Sequence, residues 1–128
     1  MTLDSSAIVA ILFAESGYLD LVDRILAADH VRVGAPTVVE ASLVFAGRRA
    51  ARTGESVGGL LAELGVTVVP FGEAEARAAA DAFQRFGRGR HTARLNYGDC
   101  LAYATALVAR DTLLFVGDDF AQTDIAPA

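Results

Sequence analysis

Three almost wholly apolar stretches of this chain each carry a single charged residue, and in each it is a carboxylate: Asp4 in residues 1–14, Glu40 in residues 33–47 and Asp99 in residues 95–109. A lone ionised carboxylate in a segment that reads as buried is costly unless something pairs with it. None of the three has a lysine or arginine within its own segment, so the compensating charge must come from elsewhere. A further acidic site, Asp118-Asp119, follows the apolar run Leu113-Leu114-Phe115-Val116. The economical hypothesis is that all four sites converge on a divalent cation, since carboxylate oxygens are the ligands hard ions prefer.

Each acid also has a purely structural explanation. Asp4, Ser5 and Ser6 are all good helix N-cap residues. On the functional reading a serine takes the cap and the Asp4 carboxylate faces the metal. Asn96 with Asp99 three residues later mimics a capping box and suits the helix dipole. Asp118-Asp119 would serve in a plain turn. Glu40 is harder to explain this way: it lies too far into its helix for a strong dipole benefit, and an arginine reaching across the core is the structural alternative.

Residues 83–98 contain Arg85, Arg88, Arg90, His91 and Arg94 and no acid. Alone they read as an exposed, solvated loop. Beside an acidic crevice, Arg88, Arg90, His91 and Arg94 become candidates for holding RNA phosphates. Arg48, Arg49 and Arg52 form a second basic cluster, for which a solvated helix face is the simpler role. His30 and His91 are too few for a zinc catalytic set, and no H-E-x-x-H occurs. Cys100, the only cysteine, rules out an intrachain disulfide and reads as packing. Neither a Walker loop nor G-x-G-x-x-G is present, which argues against nucleotide-driven chemistry.

The elements that must position these residues follow from the apolar pattern. Short β-branched or leucine-rich runs at 2–3, 31–34, 66–69 and 113–116 alternate with alanine-rich segments of helical spacing at 6–13, 17–28, 36–51, 55–64, 73–86 and 97–110. Pro36 suits the start of its helix, and Gly54, Gly65 and Gly72 mark junctions. This alternation predicts an α/β fold: a parallel sheet of four to five strands flanked by helices in three layers. In such sheets ligands gather outside the carboxyl ends of the strands. Asp4 ends the first strand, Glu40 lies about a turn into the helix after the second, Asp99 opens the helix leading to the last strand, and Asp118 or Asp119 follows that strand. All four can reach one crevice.

At 128 residues and 53% hydrophobic content the chain is expected to form one domain over 1–128, with a real core. A net charge of −5 would ordinarily count against a nucleic-acid partner, but acids sequestered on metal and the acid-free basic segment weaken that objection. The start Met1-Thr2-Leu3-Asp4 lacks the basic opening of a secretory signal, and the apolar run at 7–14 is short of a membrane span, so a cytoplasmic protein is expected.

The opening Leu3-Asp4-Ser5-Ser6-Ala7, the Glu40 helix, the stretch from Gly89-Arg90-His91 to Leu95-Asn96-Tyr97-Gly98-Asp99-Cys100, and the ending Leu114-Phe115-Val116-Gly117-Asp118-Asp119-Phe120 together resemble the PIN-domain ribonucleases, most closely the VapC-type toxins of bacterial toxin–antitoxin pairs. The resemblance covers essentially the whole chain. It implies that Asp4 and Asp99 bind Mg²⁺ or Mn²⁺ most directly and that Glu40 completes the site. In many relatives the last strand ends Thr-x-Asp; aligning Phe120 puts Gly117 at that Asp, so Asp118 is preferred for the displaced role, with Asp119 as second choice. Ser5 stands where threonine is usual. The resemblance further implies hydrolysis of a tRNA, rRNA or mRNA to a 5′-phosphate product, a homodimer, and a VapB-type antitoxin that blocks the acidic cleft.

Two rivals stand beside this expectation. One is a catalytically silent RNA- or protein-binding module of the same fold. The other is a phosphatase with Asp4 as aspartyl nucleophile, against which Ser6 stands where a second Asp is usual.

Overall fold

A computed structural model describes residues 1–48 and 56–128. Four short parallel strands, β1 (Thr2–Leu3), β2 (Arg32–Gly34), β3 (Thr67–Val69) and β4 (Leu113–Leu114), form one sheet in the order β3-β2-β1-β4. The helices are α1 (Ser5–Leu12), α2 (Tyr18–Ala27), α3 (Ala35–Gly47), α4 (Val57–Glu63), α5 (Glu73–Phe86) and α6 (Tyr97–Ala109). The expected α/β fold is thus the observed one. The expected continuation of α3 to 51, the start of the next helix at 55, Gly54, and the basic residues Arg49 and Arg52 lie outside the described residues.

Helices cover both faces of the sheet at β1 and β4, whose residues are all buried, whereas the edge strand β3 is largely exposed. Leu3 and Val33 pack with Ile8, Ile25, Ala41 and Leu61 on one face, while Leu95, Leu101, Tyr103 and Phe86 pack on the other. Neighbouring residues of β4 divide between the two cores, Leu113 with the α5–α6 side and Leu114 with the α1–α4 side, as the period of two requires. On the α6 side, Tyr103 is fully buried and donates its hydroxyl to Asp124, which also pairs with Arg85. This ties the C-terminal segment to the core.

Three details of the chain direct the strand ends toward one edge. β1 passes into α1 through Asp4 alone. β2 passes into α3 with no loop, Gly34 being both the last strand residue and the helix N-cap. A side chain on Gly34 would stand 2.6 Å from Thr105 Oγ1, so glycine here lets α6 lie close against the end of β2.

Candidate active site

Asp4 is buried, with 4% of its surface exposed, and it is itself the N-cap of α1. Its Oδ2 accepts from the Ser6 backbone N–H at 2.9 Å and from Ser6 Oγ at 2.5 Å. Its Oδ1 is buried without a partner. The capping oxygen is therefore the aspartate's and not a serine's, contrary to the division of labour expected from sequence. Ser6 Oγ in turn accepts from the Val116 N–H at 2.9 Å, so one hydroxyl joins the start of α1 to the segment after β4.

Glu40 projects from α3 onto the first turn of α6. Its Oε2 is also buried without a partner, and Gly98 provides the space for its carboxyl group. No ion pair among the described residues involves Asp4, Glu40 or Asp99. Among the described residues, no arginine takes the place that would explain Glu40 structurally.

Asp99 forms the reciprocal capping box foreseen from the sequence: Asn96 N–H donates to Asp99 Oδ2 at 2.7 Å, and Asp99 N–H donates to Asn96 Oδ1 at 3.1 Å. The cap does not exclude a second role. Burial pushes the Asp99 carboxyl up to about 6; the Asn96 N–H opposes this, and the charges of Asp4, Asp119 and Glu40 add to it. Asp4 is raised chiefly by burial, partly offset by the Ser6 and Ser5 hydrogen bonds, with a contribution from Asp119. Glu40 is raised by burial and by the charge of Asp4, with Ser5 acting the other way. Of the two acids in the last turn, Asp119, the second choice from sequence, adds a small part to the upward shifts of Asp4 and Asp99.

Buried carboxyl groups that raise one another's pKa mark a candidate functional site, and one that could accept a cation. The donor set is all oxygen, which suits Mg²⁺ or Mn²⁺, and the orphaned oxygens of Asp4 and Glu40 supply unused lone pairs. Among the described residues no three acidic, histidine or cysteine side chains form a ready-made ligand cluster, so a cation would have to draw the carboxylates together.

Arg88, Arg90, His91 and Arg94 are all exposed and line one shallow concavity with Gly89 and Thr92. Among the described residues none of these arginines has an acidic partner, in contrast to Arg85, which pairs with Asp124 at 2.5 Å. Arg88 N–H donates to Leu95 O and Leu95 N–H to Phe86 O, closing the loop on the end of α5 and delivering the chain to Asn96. Cys100 is buried and its thiol is pushed up to about 11, first by burial and then by Asp99, in keeping with a packing role. No helix among the described residues is long and apolar enough to cross a membrane.

Two contributors to the site were not foreseen from sequence: Gly98, and Ser6 in any role beyond capping. The only local signals were a small residue next to Asp99 and a hydroxyl two residues after Asp4.

Comparison with known proteins agrees with this architecture. Residues 1–126 match the PIN domain family. The chain is 42% identical over 126 residues to Ribonuclease VapC36 of Mycobacterium tuberculosis, covering 98% of this chain and 91% of that protein. It is 42% identical over 129 residues to Ribonuclease VapC42 of the same organism, covering 100% and 98%. Among solved structures, a toxin–antitoxin complex from Klebsiella pneumoniae superposes with a TM-score of 0.68 at 16% identity, covering 96% of this chain and 92% of that one, a likeness of fold. The chain belongs to the PIN-domain family, in its VapC branch.

Proposed function

We propose that this protein is a metal-dependent endoribonuclease toxin that hydrolyses RNA phosphodiester bonds and is restrained by a cognate antitoxin. The observation that carries the proposal is the pair of buried oxygens, Asp4 Oδ1 and Glu40 Oε2, that have no partner and whose carboxylates repel each other. The mycobacterial relatives are named as ribonucleases, which supports the substrate class.

Asp4 and Asp99 would hold Mg²⁺ or Mn²⁺, with Glu40 completing the set and Asp119 as the fourth acid. A bound divalent cation supplies positive charge against the scissile phosphate and acidifies the attacking water. The protein's share is placement. Ser6 holds Asp4 by one oxygen so that the other is left for the site; the Asn96 box does the same for Asp99. Arg88, Arg90, His91 and Arg94 would grip phosphates of the strand as it leaves the acids. No protein nucleophile is needed, and the buried, twice-engaged Asp4 suits a ligand better than the nucleophile of a phosphatase.

The antitoxin, a homodimer and a cytoplasmic location are part of the same proposal. That the similar Klebsiella pneumoniae structure is a toxin–antitoxin complex supports a protein partner. Leu19 and Leu26, 62% and 64% exposed on α2, offer apolar surface for either assembly.

Incubating the purified protein and its Asp99→Asn variant with total cellular RNA, and mapping new 5′ ends, separates enzyme from binding module. Discrete cuts bearing 5′-phosphates with the native protein and none with the variant are expected. Equal behaviour of the two would leave a silent binding module.

A further inference from the structure

Tyr97 occupies the first position of α6, next to Asn96 and two residues from Asp99, yet it is 80% exposed. A ring left in water contributes little to the fold. Its surroundings are nonetheless specific. Tyr97 stands between two apolar grooves and lines both: one also contains Phe71, Ala76 and Phe83, and the other contains Pro36, Leu43 and Glu40. The first groove runs toward the basic loop, where the Arg90 guanidinium lies over the Phe83 ring at 5.5 Å. The second ends at the acids, because Glu40 forms part of its wall.

Along this strip the surface alternates cation, aromatic ring and carboxylate: Arg90, then Phe83 and Tyr97, then Glu40. A single nucleic-acid strand alternates phosphates and bases. Phosphates fit the cationic loop at one end and a cation-loaded acid cluster at the other, and an exposed ring between them fits a base, since every base has a face that stacks on an aromatic side chain. A wholly apolar protein segment would suit the grooves but leave the cationic end unpaired.

We propose that Tyr97 is a stacking platform for a base of single-stranded RNA adjacent to the scissile phosphate, with the Phe83 groove carrying the strand on toward Arg90. This rests on the ribonuclease reading of the acid cluster and adds to it the position and chemistry of a substrate contact.

The test uses a short fluorescent single-stranded RNA spanning a mapped cleavage site, with one nucleotide at a time made abasic. Its affinity is measured by anisotropy for the Asp99→Asn protein carrying Tyr97, Tyr97→Ala or Tyr97→Phe. Removal of the ring is expected to weaken binding roughly tenfold or more, and Tyr97→Phe to restore it. One abasic position beside the cut should cost the Tyr97 protein a similar factor and cost the alanine variant nothing further. Equal affinities of the Tyr97 and alanine proteins, or the same abasic penalty in both, would overturn the stacking role. If the alanine variant instead loses affinity only for the antitoxin, the strip is a protein-docking face and the proposal is equally overturned. Failure of the native protein to cut any RNA would overturn the ribonuclease reading itself, whereas cutting combined with unchanged affinities overturns stacking alone.

Discussion

The Glu40 carboxyl group occupies the space directly over Gly98: a side chain on Gly98 would begin 2.1 Å from Glu40 Oε1. The two residues come from α3 and α6, and their contact sets one acid of the site against the turn that carries another.

Gly98→Ala should therefore act on function far more than on the fold. The obstacle is the end of a flexible side chain, which can swing away, and alanine is the better helix former by up to about 1 kcal/mol. The expected outcome is a melting temperature unchanged or slightly raised together with RNA cleavage reduced roughly tenfold to a hundredfold, because Glu40 is displaced from the acids. Calorimetry and a cleavage assay on the same preparation check this. A large loss of stability with activity preserved per folded molecule would contradict it.

Ser6 joins two parts of the site that are far apart in sequence, donating to Asp4 Oδ2 at 2.5 Å and accepting from Val116 N–H at 2.9 Å. Removing the hydroxyl leaves the Asp4 carboxyl held by the Ser6 backbone N–H alone and releases the segment that leads to Asp119. Ser6→Ala should cost about 1 kcal/mol of stability and weaken Mn²⁺ binding measured by titration calorimetry. Ser6→Thr, which keeps the hydroxyl, should recover most of that affinity. Equal Mn²⁺ affinities for all three proteins would show that Ser6 only packs.

The raised carboxyls make a statement about stability. Asp99 moves from 3.8 to about 6 on folding, and Asp4 and Glu40 shift in the same direction. Between those values the folded state binds more protons than the unfolded state. Stability changes with pH as the unfolded minus the folded proton count, so these groups make it fall as pH rises through that window. The metal-free protein should melt a few degrees higher near about pH 5 than near about pH 7.5, and Glu40→Gln should raise the neutral-pH value and flatten the trend. Divalent metal should reverse it, since binding requires deprotonated ligands and strengthens as pH rises. A metal-free melting temperature that climbs steadily from about pH 5 to about pH 7.5 would contradict the electrostatic account.

Most of the scaffold was legible because it depends on local pattern. The four strand runs and six helices are bounded by apolar periodicity, and the observed α5 at Glu73–Phe86 coincides with the expected segment. Three of the acids were legible for the opposite reason, as violations of that pattern in Asp4, Glu40 and Asp99. What stayed hidden depends on contacts distant in sequence. Gly98 is special only because α3 brings Glu40 over it, and Ser6 because β4 ends beside α1, 110 residues away. Asp118 and Asp119 sit in a turn, where neither the period of a helix nor that of a strand tells which side chain faces the crevice. The expectation that a serine would cap α1 failed because Asp4 Oδ2 takes the cap itself and still leaves Oδ1 without a partner.

The claim that these acids form a cation-dependent nuclease centre is tested most directly by metal add-back. Protein freed of metal with EDTA and desalted is incubated with RNA while Mg²⁺ is titrated in, beside Asp99→Asn. The account predicts no cleavage without metal, saturable recovery as Mg²⁺ rises, and no recovery in the variant at any concentration. Full cleavage by the metal-free protein, or equal recovery in the variant, would contradict it.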